Sequence, residues 1–301
     1  MTVRLPAAIT LALALAAVMA GPAASAGAAP APGTRSTEGA PAVPTPFVRP
    51  GQVDRCWHAS MRCIDATIEL MEDLEARLGC DHRAVFATTY LLLTREVRRV
   101  LRARPDYFDH LAGFIYIDVV FANFYFRTIA DDEAGRAVPE AWRIAFDTAR
   151  SGDANGAQDM LLGINAHVQR DMPYVLAKVG LHNRKGESRK GDHDRMNEVL
   201  AMAYERIVSR VAQRYDPLVA TTNASWNPAD DVIGLETVKS WREVVWRNAE
   251  RLLNASTPAE RDLVKASIEA NAAASAREIA AVQGPPGYRF ARDAHCRQHL
   301  R

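Results

Sequence analysis

Apolar residues recur every three or four positions from Asp54 almost to the C-terminus, the spacing of amphipathic helices. Trp57, Met61, Ile64, Ile68, Met71, Leu74 and Leu78 mark a first helix, which Gly79 ends. Asp81 is placed to cap a second, running through Phe86, Tyr90, Leu93, Val97 and Leu101 to Pro105. The run LAGFIYIDVVFANFYF is apolar almost all round and too long for a buried strand. It predicts a third helix, from Asp106 to about Ile129, in the middle of a bundle. Val138-Pro139 opens a fourth helix through Trp142 and Phe146, broken at Gly152. A fifth carries Met160 to Leu176, kinked near Pro173 and stopped at Gly180. Asp192 caps a sixth, through Val199, Tyr204, Val208 and Val211; residues 216–234 read as a loop. A seventh holds Val238, Trp241, Val245, Ala249 and Leu252. Thr257-Pro258-Ala259-Glu260 is a capping box opening an eighth, to about Val282. Gly284-Pro-Pro-Gly287 ends it, and a basic tail containing Cys296 follows. With no useful period-2 alternation and no internal repeat, the expected fold is all-α: one bundle of about eight helices over residues 51–301.

The fifth helix breaks its own pattern. On a wheel of about 100° per residue, with Met160 at zero, Ile164 falls near 40° and Tyr174 near −40°. His167 then lies near −20° and Asp171 near 20°, in the middle of the face that should be buried, with Leu162 and Gln169 opposite. Ionisable groups are rare in interiors unless paired or metal-bound. A His and an Asp spaced i, i+4 share one side of a helix, where they can chelate a metal, or the Asp can orient the imidazole as a general base.

Two other helices show the same anomaly. Asp118 lies between Phe114, Phe121 and Tyr125, with His110 on the same side two turns earlier. Asp194 and Asn197 align with Ala201, Tyr204 and Val208, beside His193. Carboxylates from facing helices plus a histidine are how bundles build metal sites in their cores. His167, Asp171 and Asp118 are therefore candidate ligands for a divalent metal such as zinc. His167, Asp171, Asp194 and Asn197 are the candidate catalytic set. The bland reading is a hydrogen-bonded network that joins helices without chemistry. Ser60, Ser151 and Ser225 stand in no Gly-x-Ser-x-Gly elbow, and HExxH, P-loop and dinucleotide motifs are absent. Trp241 and Trp246 read as clamps of the C-terminal helices, and the charged run 183–191 as solvated surface.

Composition changes the picture at the N-terminus. Arg4, the apolar run to Ala20 and Ala24-Ser25-Ala26 read as an export signal over residues 1–26. Residues 27–50, rich in Ala, Pro and Gly, read as a disordered linker. The expected location is extracellular, with no membrane anchor once the signal is removed. In an oxidising compartment Cys56, Cys63, Cys80 and Cys296 imply two disulfides, with three possible connectivities. Cys56 and Cys63 on one continuous helix would stand about 10 Å apart, too far to bridge. Cys80 with Cys296 would tie the tail to the first helical hairpin. The 37 basic and 36 acidic residues leave a net charge of +1, without the footprint of a nucleic-acid partner.

Leu161-Leu-Gly-Ile-Asn-Ala-His-Val-Gln-Arg-Asp171 resembles the LLGxNAHxxxD signature of an actinobacterial family of secreted proteins whose function is unknown. Asp118-Val-Val-Phe-Ala-Asn-Phe-Tyr-Phe126, Val138-Pro139-Glu-Ala-Trp142 and Asp194-Arg-Met-Asn197 match its further elements in order, over roughly residues 80–255. Met172-Pro173 departs from its usual Leu-Ala or Leu-Pro. The resemblance implies an all-α fold and no assigned reaction. A looser likeness, at the level of fold, is to helical zinc-dependent phospholipases C, whose several further histidines this chain lacks. Two functions are expected. One is a secreted metal-assisted hydrolase of a phosphoester or lipid-like substrate; the other is a non-catalytic binding protein for a small-molecule or lipid-like ligand.

Overall fold

A computed structural model describes residues 60–222, 228–281 and 287–300. The segments read as an export signal and a linker, and Cys56, lie outside them. The described residues form an all-α domain without strands, apart from one antiparallel bridge between His182 and Ser188.

Helix α1 (Met61–Leu78) starts where Ser60 Oγ accepts the Arg62 amide, and ends at Gly79, whose φ of 57° suits glycine. Asp81 Oδ1 accepts the Arg83 amide, and α2 (Ala84–Ala103) folds back along α1. Helix α3 is Leu111–Glu133. It begins five residues after the expected Asp106, because the Asp109 and His110 amides are bonded to the Asp192 carboxylate at 2.7 and 2.8 Å. Its second half is buried as expected, but Leu111, Phe114, Tyr116 and Ile117 keep part of their surface open. Helix α4 (Glu140–Ser151) follows Pro139 and stops at Gly152, φ 72°.

The middle of the bundle belongs to the next stretch. Helix α5 (Gly156–Ile164) opens on a capping box. Asn155 Oδ1 accepts the Gln158 amide at 2.9 Å, and Gln158 Oε1 accepts the Asn155 amide at 3.0 Å. It passes into a π-helical segment, Asn165–Asp171, and on into α6 (Met172–Val179). The Met172 amide bonds His167 O, five residues back. Pro173 supplies the cause. It has no N–H, and its ring would strike the carbonyl four residues earlier, so the turn ahead of it widens. The kink expected near Pro173 is this wide turn. The rod packs on α2, α3, α4 and two later helices, α9 (Pro228–Asn254) and α10 (Pro258–Ala280), so it is covered all round. Leu162, expected opposite the buried face, is buried too.

Helix α7 (Lys190–Arg214) lies along α2, and α8 (Val219–Thr222) is one turn. Helix α9 begins inside the stretch read as a loop. Helix α10 has the expected capping box, with the Glu260 amide bonded to Thr257 Oγ1 at 3.1 Å. The basic tail is a helix, α11 (Tyr288–His299). Its Cys296 bonds Cys80, the tie that one of the possible pairings gives. Cys63 is also disulfide-bonded. Around the tie, buried Arg292 meets Asp159 Oδ2 at 2.7 Å, and His82 lies between Asp159 and Asp293.

Candidate functional site

His167 and Asp171 are 2% and 0% exposed, and His167 Nδ1 lies 3.1 Å from Asp171 Oδ2. The same oxygen accepts the Trp142 indole N–H at 2.9 Å, and Asp171 Oδ1 accepts from Arg170 Nη1 at 2.9 Å. Every polar neighbour of this carboxylate is a donor, so Nδ1 carries the ring proton and Nε2 presents a lone pair. Arg170 also holds Glu269 on α10, whose Oε1 accepts the Tyr174 hydroxyl at 3.0 Å. Two residues before His167, Asn165 donates to Ala272 O at 2.9 Å and accepts from Gln169 at 2.6 Å, fastening the π segment to α10.

Aromatic rings surround the imidazole. Phe121 stacks on it at 3.5 Å with planes 7° apart. Tyr90 stands at 4.8 Å, and Phe86, Tyr125 and Trp142 at 5.8, 5.9 and 5.9 Å. The rings come so close because Gly163 lies against Phe86 with no side chain between. Burial pushes the His167 imidazole down from its ordinary range, against the opposing pull of Asp171. The ring is therefore neutral at neutral pH.

Four polar atoms on or around this box are enclosed and have no hydrogen-bond partner: His167 Nε2, the Tyr90 and Tyr125 hydroxyls and Asp118 Oδ2. Burial, then the charges of Asp118 and Asp171, raise Tyr90 well above the usual phenol range, so it stays protonated. Asp118 keeps part of its surface open while Oδ2 is turned inward. Burial alone pushes its carboxyl from 3.8 up to about 7. Here the folded state holds a proton that the unfolded chain releases. Asp118 therefore stabilises the fold relatively at low pH, and that contribution fades as pH rises from about 4 to about 7, by roughly 4 kcal/mol. Asp118→Asn is expected to raise the unfolding free energy at pH 8 and to flatten its decline between pH 4 and 8. Denaturant melts across that range check it, and a variant as pH-sensitive as the parent would contradict the assignment.

The remaining candidates stand elsewhere. Asp194 is on the surface, its side chain 50% exposed and paired with Lys190 at 2.5 Å. Asn197 accepts from Arg242 Nε at 2.7 Å, part of a clasp in which buried His193 donates to Arg242 O at 3.0 Å. His110 meets Asn183 at the start of α3. The inward acid of α7 is Asp192, in register with buried Val199, Ala203 and Ile207. Among the described residues no group of three or more His, Cys, Asp or Glu side chains is arranged to hold an ion. The reason is local: Asp171 spends both oxygens on three donors, and His167 Nδ1 faces Asp171. Asp194 and Asn197 stand apart from Asp118, His167 and Asp171.

Tyr90, Trp142 and Arg170 complete the site and escaped the sequence reading, since tyrosine and tryptophan at helical spacing look like core. The order of the Asn-Ala-His and Asp elements was the available signal. No curated protein and no solved structure matches the chain. A family described as one of unknown function, DUF5995, matches residues 64–282, which contain every residue of the site.

Proposed function

We propose that this chain, which belongs to the DUF5995 family, carries a metal-independent acid–base site that hydrolyses small esters. One observation carries the reading. An Asp–His pair whose neighbouring donors place the ring proton on Nδ1 leaves Nε2 bare, beside three more unpartnered polar atoms. A finished structural network would satisfy them. In this reading substrate enters along the half-open side of α3 at Asp118.

In this reading His167 Nε2 takes a proton from water as the oxygen attacks the ester carbonyl. Asp171 fixes the ring and stabilises the imidazolium. The Tyr90 hydroxyl donates to the carbonyl oxygen as it becomes an oxyanion. Collapse of the tetrahedral intermediate expels the alcohol, which receives the proton back from Nε2. Phosphoesters fit poorly: Arg170 is committed to Asp171 and Glu269, and no cation acts on Asp118.

The test is a panel of acetate esters whose alcohol portion is neutral, ammonium-bearing or carboxylate-bearing. The parent protein is expected to hydrolyse at least one, in the presence of chelator. His167→Gln should lower kcat/KM about 10²–10⁴-fold and Tyr90→Phe at least about tenfold, with unchanged far-UV circular dichroism. Hydrolysis that survives His167→Gln, or a parent inert towards the whole panel, would overturn the reading. An inert parent that still binds esters would point to the non-catalytic binding protein.

A further inference from the structure

The charges around the site sort its ligands. Asp118 Oδ2 is enclosed and meets neither a donor nor a counter-ion. Arg170, the cation beside the pair, is consumed by Asp171 Oδ1 and Glu269. Arg189 lies against Gly113, earlier on α3, and Asp192 is the charge that acts on it. So the site offers one unbalanced carboxylate, whose charge acts on Tyr90, one of the rings gathered around His167 with Phe86, Phe121, Tyr125 and Trp142.

Each class of ligand meets this differently. An anion faces Asp118 and Asp171 in a low-dielectric setting with no positive group to receive it. A neutral alcohol can donate one hydrogen bond to Oδ2 and leaves the charge unbalanced. A protonated amine supplies both donors and charge, and its N–H groups and α-carbons are attracted to aromatic faces. From the unpartnered Asp118 oxygen and the ring of aromatic side chains, we infer that the site binds small molecules bearing an ammonium group, with Asp118 as its receiver. This rests on the same site as the hydrolase reading and deepens it. Asp118 is the specificity-determining residue, while His167 and Tyr90 act on the ester.

The probes are three chains of equal length: n-butylammonium, 1-butanol and butyrate, titrated at pH 8 and constant ionic strength by calorimetry and thermal shift. Butylammonium is expected to bind at least about tenfold more tightly than either of the others, a difference of about 1.4 kcal/mol. Asp118→Asn, which removes an unpaired charge and should fold, is expected to erase that preference; Asp118→Glu should retain part of it. Equal or tighter binding of butanol or butyrate would overturn the inference. So would an undiminished preference in Asp118→Asn, or no response to butylammonium. The two readings fail separately. Ammonium binding without ester hydrolysis sinks only the hydrolase, and hydrolysis without ammonium preference sinks only this one.

Discussion

Asp171→Ala is expected to destabilise the fold by about 3–5 kcal/mol, the range for breaking a buried charge pair from one side. The substitution strands three donors at once. The Trp142 indole N–H and His167 Nδ1–H lose their acceptor, and the Arg170 guanidinium loses Asp171 Oδ1. Glu269 still holds Arg170, so the charge is not fully abandoned, while the two ring donors have no substitute. Each unsatisfied buried donor costs about 1–3 kcal/mol. Asp171→Asn should fall in between, since its amide keeps one acceptor oxygen but turns N–H groups towards other donors. Urea denaturation at pH 7 measures both. A loss below about 1 kcal/mol for the alanine variant would mean that the pair is looser than this geometry.

Gly163→Ala is the second large effect. A Cβ there would stand 2.2 Å from Phe86 Cγ and 2.6 Å from its Cβ, atoms near the backbone of α2 that cannot swing away. The ring itself is held by Tyr125 at 5.0 Å and Trp142 at 5.6 Å. Relief therefore requires α2 and α5 to separate, and overpacking of this kind costs about 3 kcal/mol or more. The separation would also loosen the rings around His167, so ester hydrolysis should fall with stability. Phe86→Ala in the same chain, which removes Cγ and the ring, is expected to recover part of the loss, giving a coupling of at least about 1 kcal/mol in a double-mutant cycle. Strict additivity would show that the two residues do not meet.

Helical periodicity was enough to read the all-α fold, the stops at Gly79 and Gly152, and the Thr257 capping box. It also identified the anomaly at His167, Asp171 and Asp118, because a titratable group on an apolar stripe is visible without knowing its partner. Partners were the missing part. Nothing in the spacing of Trp142 or Tyr90 tells that an indole N–H meets Asp171, or that the charge of Asp118 acts on a phenol. Phase was the other weakness. Residues two apart on a helix point about 200° apart, so Asp192 and Asp194 cannot both face inward. The stripe through Val199, Ala203 and Ile207 selects Asp192, whereas Tyr204 and Val208 had favoured Asp194. The π turn was hidden for a related reason. A wheel of constant pitch has no place for it, and Pro173 signals only that something must yield. The basic composition of α11 concealed a helix held through a few buried contacts, Arg292 and Cys296 among them.

The disulfide between Cys80 and Cys296 spans 216 positions. Covalently, the domain is a closed ring: the backbone severed once between these cysteines still leaves a single molecule until the bond is reduced. The chain-entropy account of such a ring assigns it about 5 kcal/mol against the open chain. Synthesis from the N-terminus adds an order of events. Both halves of the Asp–His pair, and every ring around it, have been made before the sulfur that closes the circle exists. Seating α11 on the bundle holds the two sulfurs together, so folding favours their pairing over that in the open chain. The bond thus joins the first sulfur of the ring to one of the last residues made, and the seated helix is what brings them together.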